Sequence, residues 1–132
     1  MHTFTLKTHS RDQMVEITSQ VRNLVRESGV TEGAVMVYVP HTTAGVTINE
    51  NADPDVVHDF LLQLDQMVPW SQSFYRHAEG NSASHVKASM MGSSCTVIID
   101  DGRLVLGTWQ GIYFCEFDGP RTRQVHVKIT AG

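Results

Sequence analysis

Two histidines, His77 and His85, are the first residues of this chain whose type and spacing could do chemistry. They lie in the segment Tyr75–Gly92, with Glu79 and Asn81 between them and a helix start directly afterwards. A helix N-terminus carries free N–H groups and partial positive charge, which favour an anion. The segment therefore predicts a metal site with a phosphate or carboxylate pocket beside it. The alternative is a turn-stabilising His77 and a solvent-facing His85, because their spacing matches none of the short zinc motifs.

A second polar stretch follows an apolar run at residues 34–39, and loops after strand ends are where binding residues concentrate. Its candidate residues are His41, Thr42, Thr43, Asn49 and Glu50. With the two histidines above, His41 would give three imidazoles and an open fourth position, which is typical of catalytic zinc. Glu50 or Glu79 could bind the metal, orient an imidazole or act as a general base, and the sequence leaves these roles open. For the two threonines, the alternative is an ordinary strand-forming role.

A third stretch, Gly102–Arg121, is rich in glycine and aromatic residues. Trp109 and Gln110 could form a wall for a flat ligand, and Arg121 could pair with a phosphate. The alternatives are a core tryptophan and an arginine at the surface beside a turn. The chain has no P-loop and no G-x-G-x-x-G motif, so phosphoryl chemistry would need a different phosphate site.

Length and charge limit the classes of protein to which the chain can belong. With 132 residues it is expected to form one domain, residues 1–132, with a genuine hydrophobic core. Its formal net charge of −4 argues against a nucleic-acid-binding protein, which needs a concentrated basic surface. A small-molecule substrate is the expected partner.

A cytoplasmic location is expected, with no attachment to a membrane. The N-terminal residues MHTFTLKTHS contain no apolar signal-peptide core, and the apolar run at 34–39 is far too short to cross a bilayer. Cys95 and Cys115 both lie in apolar, strand-like contexts. They are expected to be buried thiols rather than a disulfide.

The periodicity of apolar residues predicts an α+β fold with antiparallel or mixed sheets and two to three helices. The predicted strands are residues 2–7, 34–39, 44–49, 95–99, 104–106, 112–117 and 124–129. The first helix is expected to begin near Thr18 and end at Gly29, and the second to begin at Asp53-Pro54. The third is expected to run from an Asn81 or Ser82 cap to Gly92. The run at 34–39 predicts a central strand that is buried on both faces.

Three long segments resemble one known family. They are HTTAGVTINENADPDV at 41–56, HAEGNSASHVKASMMGSS at 77–94 and DGRLVLGTWQGIYFCEFDGPR at 101–121. They are similar to the YjbQ-like family of small bacterial and archaeal proteins, whose members are often described as secondary thiamine-phosphate synthases. The resemblance covers essentially the whole chain.

The resemblance implies a compact β-sandwich-like subunit, a homotrimer and a histidine-lined, metal-associated site near subunit interfaces. Carried over residue by residue, the family's histidines fall on His41, His77 and His85. Its acidic and amide positions fall on Glu50, Glu79 and Asn81. Ser84 departs from the alanine that is frequent in the family, and this departure touches none of these positions.

Three functions follow as expectations. The first is a transferase of the thiamine-phosphate synthase type, which joins a pyrimidine pyrophosphate to a thiazole phosphate and must hold the leaving pyrophosphate. The second is a metal-dependent hydrolase of a small phosphorylated or acyl substrate. The third is a non-catalytic trimer that binds a small ligand or a metal.

Overall fold

The computed structural model describes residues 1–132. Eight strands and three helices follow one another along the chain. They are β1 (His2–Lys7), β2 (Gln13–Glu16), α1 (Thr18–Ser28), β3 (Gly33–Tyr38), β4 (Ala44–Glu50), α2 (Pro54–Met67), α3 (Ser82–Met91), β5 (Ser94–Asp100), β6 (Arg103–Leu104), β7 (Gln110–Glu116) and β8 (Thr122–Ala131).

The strands form two sheets in which every pairing is antiparallel. One sheet has five strands in the order β1-β8-β3-β5-β6, and the other has three in the order β2-β7-β4. The predicted α+β class is therefore confirmed, and of the predicted alternatives the structure has purely antiparallel sheets and three helices. No helix is long and apolar enough to cross a membrane.

The main core lies between the two sheets and α1. Alternate residues of the strands point into it, such as Val35 and Val37 of β3 and Ile112 and Phe114 of β7. The helix adds Ile17, Val21 and Val25, which recur at helical spacing. The periodicity visible in the sequence therefore identifies most of this core.

A second cluster covers the outer face of the three-stranded sheet. Tyr113 and Cys115 of β7 pack there against Leu64 of α2 and Ala88 of α3. Because helices cover one face and the main core covers the other, β7 is buried on both faces from Gly111 to its end. Burial of the Cys115 thiol raises its pKa to about 12. Both cysteines are free, but only Cys115 is buried as expected, since Cys95 is partly exposed.

The structure corrects the prediction that the strand at 34–39 is buried on both faces. The strand is central, with β8 and β5 on its two sides, but only its inner face is buried. Met36 is 47% exposed and Tyr38 44% exposed on the outer face. The reason is that no helix of this chain covers the outer face of the five-stranded sheet.

Most helix starts and stops follow the predicted signals. The side chain of Asp53 accepts a hydrogen bond from the Asp55 N–H at the start of α2, and α1 ends at Gly29 in a left-handed conformation with φ 72°. The predicted side-chain cap of α3 is absent, because Asn81 turns its amide to Asp118 instead. The sequence does not predict the short strand β2, since its four residues are too few to show a period.

Close contacts hold α3 against the three-stranded sheet. A Cβ at Gly45 of β4 would lie 2.6 Å from the carbonyl oxygen of Gly92, so any side chain there would push the helix end away. Ser84 donates to the Phe117 carbonyl at 2.6 Å, and the buried Lys87 ammonium lies 2.7 Å from Asp12. These contacts fix the direction of α3 and therefore the positions of the side chains on its free face.

The Lys87 ammonium also takes part in a larger charged network at this side of the fold. It lies 3.2 Å from Asp65 of α2, and the same carboxylate accepts a hydrogen bond from Arg11. The Arg11 guanidinium in turn stacks 4.5 Å above the centre of the Trp70 ring. This network joins α2, α3 and the loop before β2.

A buried ion pair joins the end of β7 to the start of β8. Glu116 is fully buried and Arg123 is 3% exposed, and two guanidinium nitrogens donate to the carboxylate. The hydroxyl of Thr8 donates to Glu116 at 2.7 Å, and Arg123 donates to the Thr43 hydroxyl at 2.8 Å. The pair thus connects β7 and β8 to the loops after β1 and β3.

We expect Arg123→Met to lower the free energy of unfolding by about 3–5 kcal/mol, because it leaves a buried carboxylate without its cation. The double variant Glu116→Leu/Arg123→Met should be more stable than Arg123→Met alone, since it leaves no buried charge. Urea unfolding at neutral pH measures both. A double variant less stable than the single one would contradict this account of the pair.

The contribution of Glu116 to the free energy of unfolding should also depend on pH. Burial by itself would raise the pKa of Glu116, but hydrogen bonds from Arg123, Thr8 and the Asp118 N–H lower it below its ordinary value. A lowered folded-state pKa stabilises the fold at pH values above the ordinary value of ~4.3, and this stabilisation disappears as the pH falls through the folded-state value. The stability difference between wild type and Glu116→Gln should therefore shrink on acidification.

Candidate functional site

A polar cavity of about 420 Å³ opens between the N-terminal end of α3 and the loops after β3 and β7. None of its lining residues is hydrophobic. They are Pro40, His41, Thr42, Thr43, His77, Glu79, Asn81, His85, Asp118, Arg121 and Arg123. The structure therefore brings together eight of the residues that the sequence singled out, from three separate stretches of the chain.

His77 and His85 meet at the mouth of this cavity. Their ring centroids are 5.4 Å apart and the rings are nearly perpendicular, at 86°. The Nε2 atom of His77 lies 3.8 Å from a carboxylate oxygen of Glu79. His77 and Glu79 lie in the loop before α3, whereas His85 lies in the first turns of the helix, so the helix start places the two rings against each other. The pair can hold or move a proton.

His41 has a different role because one of its nitrogens is already used. Its Nε2 atom accepts a hydrogen bond of 2.9 Å from the backbone N–H of Gln124 in β8. Burial, followed by the positive charge of Arg123, lowers the pKa of His41 below its ordinary value. The ring is therefore neutral at pH 7, with its proton on Nδ1. His41 can donate a hydrogen bond but is not free to act as a base.

Two arginines line the cavity, together with the carboxylates of Glu79 and Asp118. Arg121 donates from Nε to the Asp118 carbonyl at 2.9 Å and from Nη2 to the Asp118 carboxylate at 3.0 Å. Asn81 donates to the same carboxylate at 2.9 Å, and its own Oδ1 atom is buried without a partner. Arg123 uses Nε and Nη2 for Glu116 and Thr43. Each guanidinium therefore keeps an Nη1 group without a protein partner.

The geometry of the cavity bears directly on the predicted zinc site. No group of three histidine, cysteine, aspartate or glutamate side chains converges in a way that could hold a metal ion. The Nε2 atom of His41 is occupied by Gln124, and Nδ1 then carries the proton, so this ring has no nitrogen left for a metal. The three imidazoles as arranged do not fit one ion. Zinc stays a prediction, which elemental analysis of the purified protein would test.

Four further predicted residues lie away from this cavity. Asn49 and Glu50 end β4, and Trp109 and Gln110 lie at the start of β7. Since Glu50 pairs with Gln110 and Ala44 pairs with Glu116, these residues are at the opposite end of the three-stranded sheet from the cavity. Six residues of strand separate the two ends by ~20 Å. Trp109 is 61% exposed, and the Gln110 side chain accepts a hydrogen bond from the Gly107 N–H.

Sequence reasoning misses two charged residues of the cavity, since it singles out neither Asp118 nor Arg123. The alternation in β8 carries a signal for the second, because Arg123 lies on the same face as the buried Val125 and Val127. A buried arginine needs a charged or hydrogen-bonding partner, so its presence on this face marks a polar site. No comparable pattern marks Asp118.

We expect His41 to titrate below the ordinary histidine pKa of ~6.5 and to be the Nδ1–H tautomer at neutral pH. Replacing the exposed Arg121 by alanine should raise the His41 pKa, because the positive charge of Arg121 contributes to its lowering. Nitrogen-detected NMR of the histidine rings measures both the tautomer and the titration. A protonated Nε2 at pH 7, or a His41 pKa that falls in Arg121→Ala, would contradict the assignment.

Comparison with known proteins gives a consistent result. Residues 2–132 match the family described as UPF0047 protein YjbQ-like. The chain is 55% identical to the UPF0047 protein YugU of Bacillus subtilis, with 98% of each chain covered. It is 52% identical to the UPF0047 protein MJ1081 of Methanocaldococcus jannaschii, with 96% of this chain and 91% of that protein covered.

Solved structures show the same fold. An uncharacterised conserved protein of the YjbQ/UPF0047 family from Clostridium acetobutylicum has a TM-score of 0.97 and 57% identity, with 98% of this chain and 100% of that chain covered. A conserved hypothetical protein from Thermus thermophilus has a TM-score of 0.91 and 39% identity, with 98% of this chain and 100% of that chain covered. The chain therefore belongs to the UPF0047 family of YjbQ-like proteins.

Proposed function

We propose that the polar cavity binds the phosphate group of a small phosphorylated substrate and that the protein is a transferase of the thiamine-phosphate synthase type, which transfers the pyrimidine part to a thiazole phosphate. In that reaction pyrophosphate leaves the methylene carbon attached to the pyrimidine ring, and the thiazole nitrogen forms its new bond to that carbon. The protein then has to stabilise the leaving anion and supply it with a proton or hydrogen bonds. The cavity offers groups for each task.

The observation that carries this proposal is Arg123. Its guanidinium is 3% exposed, is held by Glu116 and Thr43, and lines the cavity with its Nη1 group unpaired by protein. A preorganised, nearly buried cation beside a second arginine is a strong anion site, since it loses little freedom on binding and acts in a low dielectric. Arg121 can then add a second charge-assisted hydrogen bond.

The histidines divide the remaining work. His41 is neutral with its proton on Nδ1, so it serves as a hydrogen-bond donor to the substrate. His85 and the His77–Glu79 pair are the groups able to exchange a proton with the leaving oxygen. A ring face of His77 or His85 can also stack on the pyrimidine, a role that Trp109 cannot fill from the far end of the sheet.

Hydrolysis is a second candidate, and the His77–Glu79 pair favours it. A carboxylate 3.8 Å from an imidazole can orient that ring toward a water molecule. The same anion site would hold the phosphoryl group under attack. The two candidates differ in the acceptor, which is a thiazole nitrogen in one case and water in the other.

We also propose that the protein forms a homotrimer. The outer face of the five-stranded sheet exposes apolar side chains, including Met36 at 47%, Tyr38 at 44% and Ile98 at 62%. Exposed apolar side chains grouped on one sheet face are a feature of interaction surfaces. A location in the cytoplasm belongs to the same proposal, and the free thiols of Cys95 and Cys115 support it.

The proposed function is tested by turnover of an aminopyrimidine pyrophosphate with a thiazole phosphate. We expect His85→Ala and Glu79→Gln each to lose turnover by about 100-fold or more, the usual loss for a proton-transfer group. Hydrolysis of the pyrophosphate substrate without the thiazole phosphate is followed in parallel. Activity in the second assay alone would select the hydrolase.

Matched controls are available in the chain. His58→Ala removes an exposed imidazole on α2, and Glu50→Gln removes a carboxylate at the far end of β4. Both variants should keep wild-type turnover. Absence of either activity in wild type, or equal losses in Glu50→Gln and Glu79→Gln, would overturn the assignment of chemistry to this cavity.

The trimer is tested by light scattering at micromolar concentration. Wild type should have three times the chain mass of 14.7 kDa, whereas Ile98→Glu should lower the mass because it places a charge on the proposed interface. Leu62→Glu changes a side chain of similar exposure, 53%, on α2 and should leave the mass unchanged. A wild-type monomer would refute the trimer.

A further inference from the structure

A second cavity of about 440 Å³ adjoins the polar cavity and shares His41, Thr42 and His85 with it. Its other lining residues are small or carry a hydroxyl group, and none is charged. They are Ala44, Ala88, Ser89, Gly92 and Ser93. The two histidines therefore stand at the boundary between two spaces of different chemistry. We call the first the arginine compartment, after Arg121 and Arg123, and the second the serine compartment, after Ser89 and Ser93.

Helix α3 runs along both compartments. Its N-terminal residue Asn81 lines the arginine compartment, whereas Ser89 and Gly92 at its C-terminal end line the serine compartment. His85 and Ser89 are four residues apart, so they lie on the same face of the helix. The N-terminal end of a helix favours negative charge, and its C-terminal end favours hydrogen-bond donors or positive charge. The helix ends and the lining side chains therefore both favour an anion in the arginine compartment and an uncharged group in the serine compartment.

The space in the serine compartment follows from the residues that border it. Ala44, Ala88 and Gly92 have small side chains or none, and Gly45 allows the end of α3 to approach β4 closely. Thr42, Ser89 and Ser93, which carry hydroxyl groups, also line this space. Such a lining accepts and donates hydrogen bonds without carrying charge, which suits a hydroxylated group rather than a second anion.

We infer that the substrate of this site has two parts: a phosphate in the arginine compartment and an uncharged, hydroxyl-bearing part in the serine compartment. The inference rests on the anion site of the proposed function and on its second candidate, the hydrolase, to which it adds the class of substrate, a phosphomonoester of a sugar-like molecule. Its reacting bond lies between the compartments, next to His85 and His41. Ser89 is the specificity-determining residue, because it borders only the second compartment and shares a helix face with His85.

The dimensions agree with this class of substrate. Ser89 follows Asn81 by eight residues, which is ~12 Å along the helix axis. Inorganic phosphate alone would fill only the arginine compartment and would leave the hydroxyl groups of the serine compartment to water. A phosphorylated sugar extends from one compartment into the other.

Calorimetric titration with inorganic phosphate and with ribose 5-phosphate tests the inference. Wild type should bind ribose 5-phosphate about tenfold or more tightly than phosphate, the gain expected from one or two added hydrogen bonds. Ser89→Leu should remove this gain, because it replaces a hydroxyl group by a larger apolar side chain in the serine compartment, while its affinity for phosphate stays close to that of wild type. Met90→Leu, which changes the next and similarly exposed position of α3, should behave as wild type.

The outcomes separate the inference from the proposal on which it rests. Phosphate binding that is weakened by Arg121→Ala, together with a ribose 5-phosphate gain lost only in Ser89→Leu, supports both. Phosphate binding with no gain for ribose 5-phosphate, or a gain that survives Ser89→Leu, overturns the two-compartment inference alone. Absence of phosphate binding in wild type overturns both.

Discussion

The buried ion pair of Glu116 and Arg123 is the interaction on which the candidate site depends. It lies where the three-stranded sheet passes into the five-stranded one, between the end of β7 and the start of β8. Thr8 and Thr43 bond to it from two other loops, so four segments that are distant in the sequence are held at one point. Burying two charges costs much of the energy that their attraction returns. Such a pair is better understood as a device for fixing geometry than as a source of stability, and the geometry that it fixes is the floor of the polar cavity.

The same arrangement explains why Arg123 faces the cavity with its charge partly uncommitted. The Glu116 carboxylate engages only two nitrogens of the Arg123 guanidinium. The hydrogen bonds around the carboxylate lower the pKa of Glu116 and so favour its ionised form. His41 is positioned from the same strand, through the backbone N–H of Gln124. One cation and one neutral imidazole are therefore fixed relative to each other by adjacent residues of β8. The histidines on the opposite wall come from α3 and the loop before it. The site is therefore complete once α3 is held in place.

Much of the fold and most of the site could be predicted from the sequence, for physical reasons that differ between residues. Val35, Val37 and Ile112 alternate with polar residues, and Asp53-Pro54 and Gly29 mark helix ends, so periodicity and capping identify these elements. His41 could be assigned to a binding site because it follows an apolar strand, and His77 and His85 because they flank a helix start. The sequence groups Glu50 and Trp109 with them because nothing in it shows to which end of an antiparallel pair a residue belongs. That information lies in the register of β4 with β7, which only the structure provides. The buried Lys87 could not be predicted either, since its two carboxylate partners come from other elements.

The contact of Arg11 with Trp70 has a practical consequence for spectroscopy. The chain has two tryptophans, and they differ in what their emission can report. Trp109 is largely exposed and far from the cavity, so its fluorescence should give a constant, red-shifted background. Trp70 is covered by Arg11, whose charge is shared with Asp65 and, through Asp65, with Lys87 on α3. A small movement of α3 would change the position of the guanidinium over the indole and so its quenching. The fluorescence of Trp70 should therefore report movement of the helix that forms one wall of the site, and Trp109→Phe would isolate this signal.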